Sequence, residues 1–265
     1  MNNVKPKKSL GQHFLKDETI ASRIADTLKD FRGLPVLEVG PGMGVLTKYL
    51  LAEGHEVKVA EIDSESVGYL KEHFPALADG PIIEGDFLEM DLNEVFPDRK
   101  MCVIGNYPYN ISSQIFFHIL DYKDRVECCS GMLQKEVAER LAATEGTKAR
   151  GILSVFLQAW YDVSYLFTVE PHVFNPPPKV RSGVVKLVRN SRVDLGCDEK
   201  LFRTIVKTTF GQRRKTLRNS IRSLLPKEVT LPDIPVFALR PEQLSVARFI
   251  DLTNLISSLR NKTID

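Results

Sequence analysis

The chain has 265 residues, 43% of them hydrophobic and 26% charged, with a net charge of +2. This balance excludes wholesale disorder and supplies one sizeable core plus a small appendage. No run approaches the roughly 18 apolar residues of a membrane span, and MNNVKPKKSLGQHF lacks the apolar stretch of a secretory signal, so a cytoplasmic protein is expected. Cys102, Cys128, Cys129 and Cys197 form no C-x-x-C pair, which predicts free thiols and no metal site. From Glu18 to Leu28, apolar residues at Ile20, Ile24, Ala25 and Leu28 recur at helical spacing.

Short apolar runs then alternate with helical stretches. Strands are predicted at Pro35 to Val39, Glu56 to Ala60, Pro81 to Ile83, Met101 to Ile104 and Val126 to Leu133. Helices are predicted at Gly44 to Glu53, Ser64 to His73, Ser112 to Asp121 and Gln134 to Ala143. Val155 to Val169 and Val184 to Val188 read as the last strands, a hairpin edge around the loop Phe174-Asn175-Pro176-Pro177-Pro178-Lys179. The alternation predicts an α/β, Rossmann-like domain over residues 1–190, with a mainly parallel seven-stranded sheet ending in an antiparallel hairpin. After the polar stretch Ser191 to Asp198, helices punctuated by prolines predict a small all-helical domain over 191–265.

Val36-Leu37-Glu38-Val39-Gly40-Pro41-Gly42-Met43-Gly44 is a strand entering a glycine turn and then a helix. A dinucleotide fingerprint would need glycine at position 45, where Val45 stands, and Pro41 removes an amide that a pyrophosphate would use. Glu61, ending the second strand, can accept from both hydroxyls of a ribose; Asp86, ending the third, can accept from an adenine amine, with Ile62 or Phe87 against the ring. Gly40, Gly42, Glu61 and Asp86 together describe a pocket for the adenosine of S-adenosylmethionine. A tight turn with solvated strand-end acids is the plainer alternative. His13 and Leu15, in the lead-in, can close over this pocket.

Gly105-Asn106-Tyr107-Pro108-Tyr109 follows the fourth strand and so reaches the same sheet edge. An exocyclic amine is weakly nucleophilic because its lone pair is delocalised. The side-chain oxygen of Asn106 and the carbonyl of Pro108 can each hold one amine hydrogen, turning the lone pair toward a methyl donor. Tyr109 offers a face for a base, and Phe174 is the candidate for the opposite face, with a loop anchor as its alternative. In the C-terminal part, Gln212 to Arg222 holds five cations and no acid. Arg214, Arg218 and Arg222 share a face if the segment is one helix. Arg213, Arg214, Lys215, Arg218 and Arg222, extended by Lys7 and Lys8, are therefore the predicted RNA phosphate contacts.

In order and spacing, KSLGQHFL (8–15), EVGPG (38–42), GNYPYN (105–110), MLQKEV (132–137), PPPKV (176–180) and FGQRRKTLR (210–218) resemble the KsgA-type small-subunit (16S) rRNA adenine dimethyltransferases across nearly the whole chain. The resemblance implies dimethylation of two neighbouring adenosines near the 3′ end of that RNA, within a ribosomal (30S-like) particle at a late stage of assembly, by a monomer with S-adenosylmethionine as cofactor. It implies cofactor contacts from His13, Leu15, Gly40, Glu61, Asp86 and Asn106, an amine held by Asn106 and Pro108, and a base stacked on Tyr109 and Phe174. The family usually has Asn, Leu and Asp where His13, Tyr107 and Arg181 stand. The Tyr107 ring is expected at the lip of the pocket, and Arg181 is expected to alter the charge beside Phe174. Two other readings remain: a large-subunit rRNA adenine methyltransferase of the resistance type, and a non-catalytic ribosome-assembly factor.

Overall fold

A computed structural model of the chain describes residues 4–261. Seven strands form one sheet: Val36–Val39 (β1), Val57–Glu61 (β2), Ile82–Glu84 (β3), Met101–Asn106 (β4), Val126–Gln134 (β5), Tyr161–Val169 (β6) and Ser182–Arg189 (β7). Their spatial order is β3-β2-β1-β4-β5-β7-β6. The β1, β2, β3, β4 and β5 neighbours pair in parallel, and β7 runs antiparallel to β5. Both faces of the central strands are covered, which is why β1 is buried at every position and reads as a continuous apolar run apart from Glu38. From β1 the chain steps outward to β2 and β3, then returns through β4 on the other side of β1. Between β1 and β4 lies the switch point, where the carboxyl ends of the strands leave a crevice.

Helices cover the sheet where caps and apolar spacing agree. Glu18–Ala25 (α1) is capped by the Asp17 carboxylate, which accepts from the Thr19 and Ile20 amides. Thr47–Ala52 (α2) follows the glycine turn, Ser64–His73 (α3) is capped by Asp63, and Ser112–Asp121 (α4) buries Ile115, Phe116, Ile119 and Leu120. Phe14–Leu15 also forms a two-residue antiparallel ladder with Phe174–Asn175.

Two elements differ from their sequence reading. The stretch from Val155, expected to be strand, begins as the helix Ile152–Gln158 before β6 starts at Tyr161. Leu153 to Leu157 are all buried, and periodicity cannot separate a fully buried helix from a fully buried strand. The segment with Arg214, Arg218 and Arg222 is not one helix. Glu199–Gly211 ends first, residues 212–216 form a turn with Thr216 extended, and Leu217–Ser220 starts anew. The three arginines therefore do not share a face by helical spacing.

By proximity, residues 4–139 together with Asp162–Arg189 form one unit, and Arg140–Tyr161 with residues 190–261 form a second. In the second unit Phe202, Phe210 and Phe249 join Glu199–Gly211 to Val246–Asn261, and Phe156 of Ile152–Gln158 lies 6.2 Å from Phe202. Among the described residues, no helix is long and apolar enough to cross a membrane.

Candidate active site

The β1–β4 crevice opens into a cavity walled by the lead-in from Ser9 to Phe14, the glycine turn, the ends of β2 and β3, and residues 106–111. Gly40 has φ +65°, and a Cβ built on it would meet no protein atom. Any side chain there would strain the turn and take up ligand space. Gly42, at φ +57°, lies against the Phe14 ring, which a Cβ would meet at 2.8 Å. The glycine turn thus admits both a ligand and the lead-in that covers it.

Glu61 is 4% exposed. Its Oε2 accepts from the Gly42 amide at 3.0 Å and its Oε1 from the Asp63 amide at 3.0 Å. Burial pushes its carboxyl above the usual range, while these amides pull the other way. It faces the cavity as an acceptor held in place by backbone. Asp86 spends Oδ1 on the Leu88 amide at 2.9 Å, and Ile62 and Phe87 line the same wall. A bare glycine turn, a fixed acid after β2 and an acid beside an aromatic after β3 fit the adenosine of S-adenosylmethionine.

On the opposite wall, the Asn106 amide nitrogen donates to the His13 carbonyl at 2.9 Å. With Nδ2 committed, Oδ1 remains as the acceptor beside Pro108. Tyr109 is held by a 2.5 Å hydrogen bond between its hydroxyl and that of Ser182, and its ring stacks on His13 with centroids 5.5 Å apart and planes 29° from parallel. The His13 ring is oriented in turn by its Nδ1, which lies 2.8 Å from the Pro176 carbonyl.

Of the predicted site residues, His13, Gly40, Gly42, Glu61, Ile62, Asp86, Phe87, Asn106, Pro108 and Tyr109 surround this one cavity. Leu15 and Phe174 do not. They are register partners in the small ladder, 5% and 1% exposed, and belong to the apolar core. A stacking role for Phe174 would require its loop to withdraw it from that core. The Tyr107 ring turns inward and is 1% exposed, rather than standing at the lip. Arg181 pairs with Glu170 at 3.2 Å, so its charge is balanced locally. Gln12 and Asn110 also line the cavity; both lie inside stretches that stand out in the sequence, but neither residue type alone signals a role.

The predicted RNA contacts divide. Lys7 is bound to Asp63 at 2.5 Å and to Glu65 at 3.2 Å, and Gln12 Nε2 donates to the same Asp63 at 3.1 Å. Lys7 therefore serves as a fastener for the lead-in instead of a free cation, because a buried carboxylate attracts it more strongly than solvent does. Lys8 is exposed. In the second unit, Arg213 is tied to the Lys148 carbonyl and to Glu242. Arg214 is exposed, while Lys215, Arg218 and Arg222 line an open groove with Asn219, Lys227 and Thr230. Among the described residues, no group of three or more His, Cys, Asp or Glu side chains is placed to hold a metal ion.

The pattern of the family described as Ribosomal RNA adenine dimethylase matches residues 3–256. A "Ribosomal RNA small subunit methyltransferase A" from Parabacteroides distasonis is 66% identical over 96% of this chain and 94% of its own length. Its namesake from Phocaeicola vulgatus is 62% identical over 99% and 94%. Among solved structures, a dimethyladenosine transferase from Plasmodium falciparum superposes with a TM-score of 0.78 at 25% identity, covering 93% of this chain and 98% of that one. The 23S rRNA methyltransferase ErmE has a TM-score of 0.66 at 24% identity, over 91% and 99%, and shares the fold. The chain belongs to the ribosomal RNA adenine dimethylase family.

Proposed function

We infer that this chain transfers methyl groups from S-adenosylmethionine to the exocyclic amines of adenines in small-subunit rRNA, at two adjacent adenosines near its 3′ end in a late assembly particle, and that it works as a monomer in the cytoplasm. The observation that carries the reading is the Asn106 side chain: its nitrogen is engaged by the His13 carbonyl, leaving an oxygen acceptor beside the Pro108 carbonyl on the cavity wall. Bound there, the cofactor supplies an electrophilic methyl on a sulfonium. Asn106 Oδ1 and the Pro108 carbonyl hold the two amine hydrogens, so the nitrogen lone pair is directed rather than left delocalised into the ring. Glu61 holds the ribose hydroxyls, Asp86 the adenine of the cofactor, and Tyr109 supports the target base once His13 yields its face. The chain divides its work between a methyltransferase domain over 1–190, from which Arg140–Tyr161 departs to group with the second unit, and an RNA-binding domain over 191–265, in which Arg214, Lys215, Arg218 and Arg222 approach phosphates.

The test incubates the protein with labelled S-adenosylmethionine and small-subunit particles lacking the modification, then maps the labelled adenosines. Label at two adjacent adenosines is expected, and intact cofactor binding without transfer would overturn the reading. Asn106→Ala should abolish transfer while leaving RNA affinity within about twofold, since phosphate contacts supply most of that affinity. A large loss of RNA affinity would contradict this division of roles.

A further inference from the structure

The side chain between Asn106 and Pro108 turns into the protein rather than toward a ligand. Gly105 of β4 and Gly131 of β5 are register partners, and the Tyr107 ring stands over the pair. A Cβ on Gly131 would come within 2.6 Å of Tyr107 Cε2, and one on Gly105 within 3.1 Å of Cε1. The two bare glycines therefore make a slot that the ring fills, and Phe116 of α4 closes it edge-on with centroids 5.6 Å apart.

The phenol at the bottom of the slot is anchored. Its hydroxyl donates to the Ser130 carbonyl at 2.7 Å and lies 3.2 Å from Cys129 Sγ. Ser130 is itself held on two sides, since its hydroxyl donates to the Val185 carbonyl at 3.0 Å and accepts from Thr27 Oγ1 at 2.7 Å. At the other end of the residue, the Tyr107 amide donates to the Met132 carbonyl at 2.9 Å. One residue thus fastens the turn to β5 twice, through its backbone and through its side chain.

We propose that Tyr107 is a positioning residue for methyl transfer, its phenol anchoring the turn to Ser130 so that Asn106 Oδ1 and the Pro108 carbonyl keep the spacing that the target amine requires. The inference rests on the reading of Asn106 and Pro108 as the amine holders. Both acceptors lie one residue from the anchor, so a small release at Ser130 displaces both together. Misplacement of reacting groups by 1 Å can cost on the order of 100-fold in rate. The cofactor wall of Gly40, Glu61 and Asp86 is built instead at the ends of β1, β2 and β3.

The test compares wild type, Tyr107→Phe, Asn106→Ala and Ile119→Val, the last being a fully buried core position on α4 outside the turn. Tyr107→Phe keeps the ring in its slot and removes only the hydroxyl. Its kcat should fall roughly tenfold, with the affinity for S-adenosylmethionine and the KM for the RNA particle each within about twofold of wild type. Ile119→Val should lose stability and keep its kcat. An unchanged kcat in Tyr107→Phe overturns the proposal. So does a fall in kcat that Ile119→Val reproduces at equal loss of Tm, because the tyrosine would then act only through stability. If Asn106→Ala retains activity, the underlying reading fails; if Asn106→Ala is inactive and Tyr107→Phe is not, this inference alone fails.

Discussion

Glu38 is a carboxyl buried away from water. It is 1% exposed in the middle of β1, and its only hydrogen bond among the described residues comes from Thr47 Oγ1 at 2.6 Å. Burial pushes its pKa up to about 8 from the ordinary 4.5, with the Glu61 charge adding to the rise. The folded chain therefore holds this proton more tightly than the unfolded chain does. As pH rises above about 4.5 the unfolded state releases the proton first, so the contribution of Glu38 to stability declines up to about 8 and is level beyond. Glu38→Gln should remove that share of the pH dependence. Denaturant unfolding measured across this range should show the variant gaining on wild type by on the order of a few kcal/mol as pH increases; a constant difference would contradict a neutral Glu38. At this scale the sequence was informative where chemistry requires a residue type in register, as with Glu61, Asp86 and Asn106. It misplaced the Tyr107 ring, expected at the lip of the pocket, because the slot that takes the ring inward is made by glycines at positions 105 and 131 that only strand pairing brings together.

The lead-in is the element that completes the wall of the cavity, and it is fastened at several points. Lys7 and Gln12 meet the Asp63 carboxylate, the His13 carbonyl takes the Asn106 amide, and Phe14 packs against Gly42. Asp63 caps α3 and donates its own amide to Glu61, so the fastening sits next to the acid proposed to hold the ribose. Lys7→Met should weaken S-adenosylmethionine binding a few-fold, by calorimetry, and leave RNA affinity unchanged; the opposite pattern would return Lys7 to the RNA surface. The KPKKSL charge run looks like a phosphate contact in sequence because a buried carboxylate 56 residues later is invisible there. Element boundaries followed the same logic. Ser64–His73 and Ser112–Asp121 were legible from apolar spacing, whereas the buried run at Ile152–Gln158 carried no periodicity to separate helix from strand, and the break at 212–216 interrupts a charge run that reads as one helix.

At the scale of the whole molecule, the candidate active site lies in one unit and much of the clustered positive charge in the other. The groove of the second unit is built with side chains already ordered: Arg222 donates to the Val229 and Lys227 carbonyls, and Arg218 to the Pro232 carbonyl and Asp233. Ordered cations lose less entropy when a phosphate arrives. Lys227→Glu and Arg214→Glu should each weaken RNA binding and flatten its dependence on log salt by about 0.7–0.9 for each phosphate no longer neutralised. Arg213→Ala should instead lower the Tm, because Arg213 is tied to Lys148 and Glu242; an unaltered salt slope in the first two would make the groove a solvated face. The α/β class and the helical C-terminal region were legible because parallel strands buried on both faces read as continuous apolar runs. The recruitment of Arg140–Tyr161 into the second unit was not, since it rests on contacts with residues after Asn190 that lie far away in sequence. The two-residue ladder of Phe14–Leu15 with Phe174–Asn175 also sets an order on folding during synthesis: in a growing chain the lead-in has no partner strand until Phe174 and Asn175 have been made, so this pairing closes only after most of the chain has been translated.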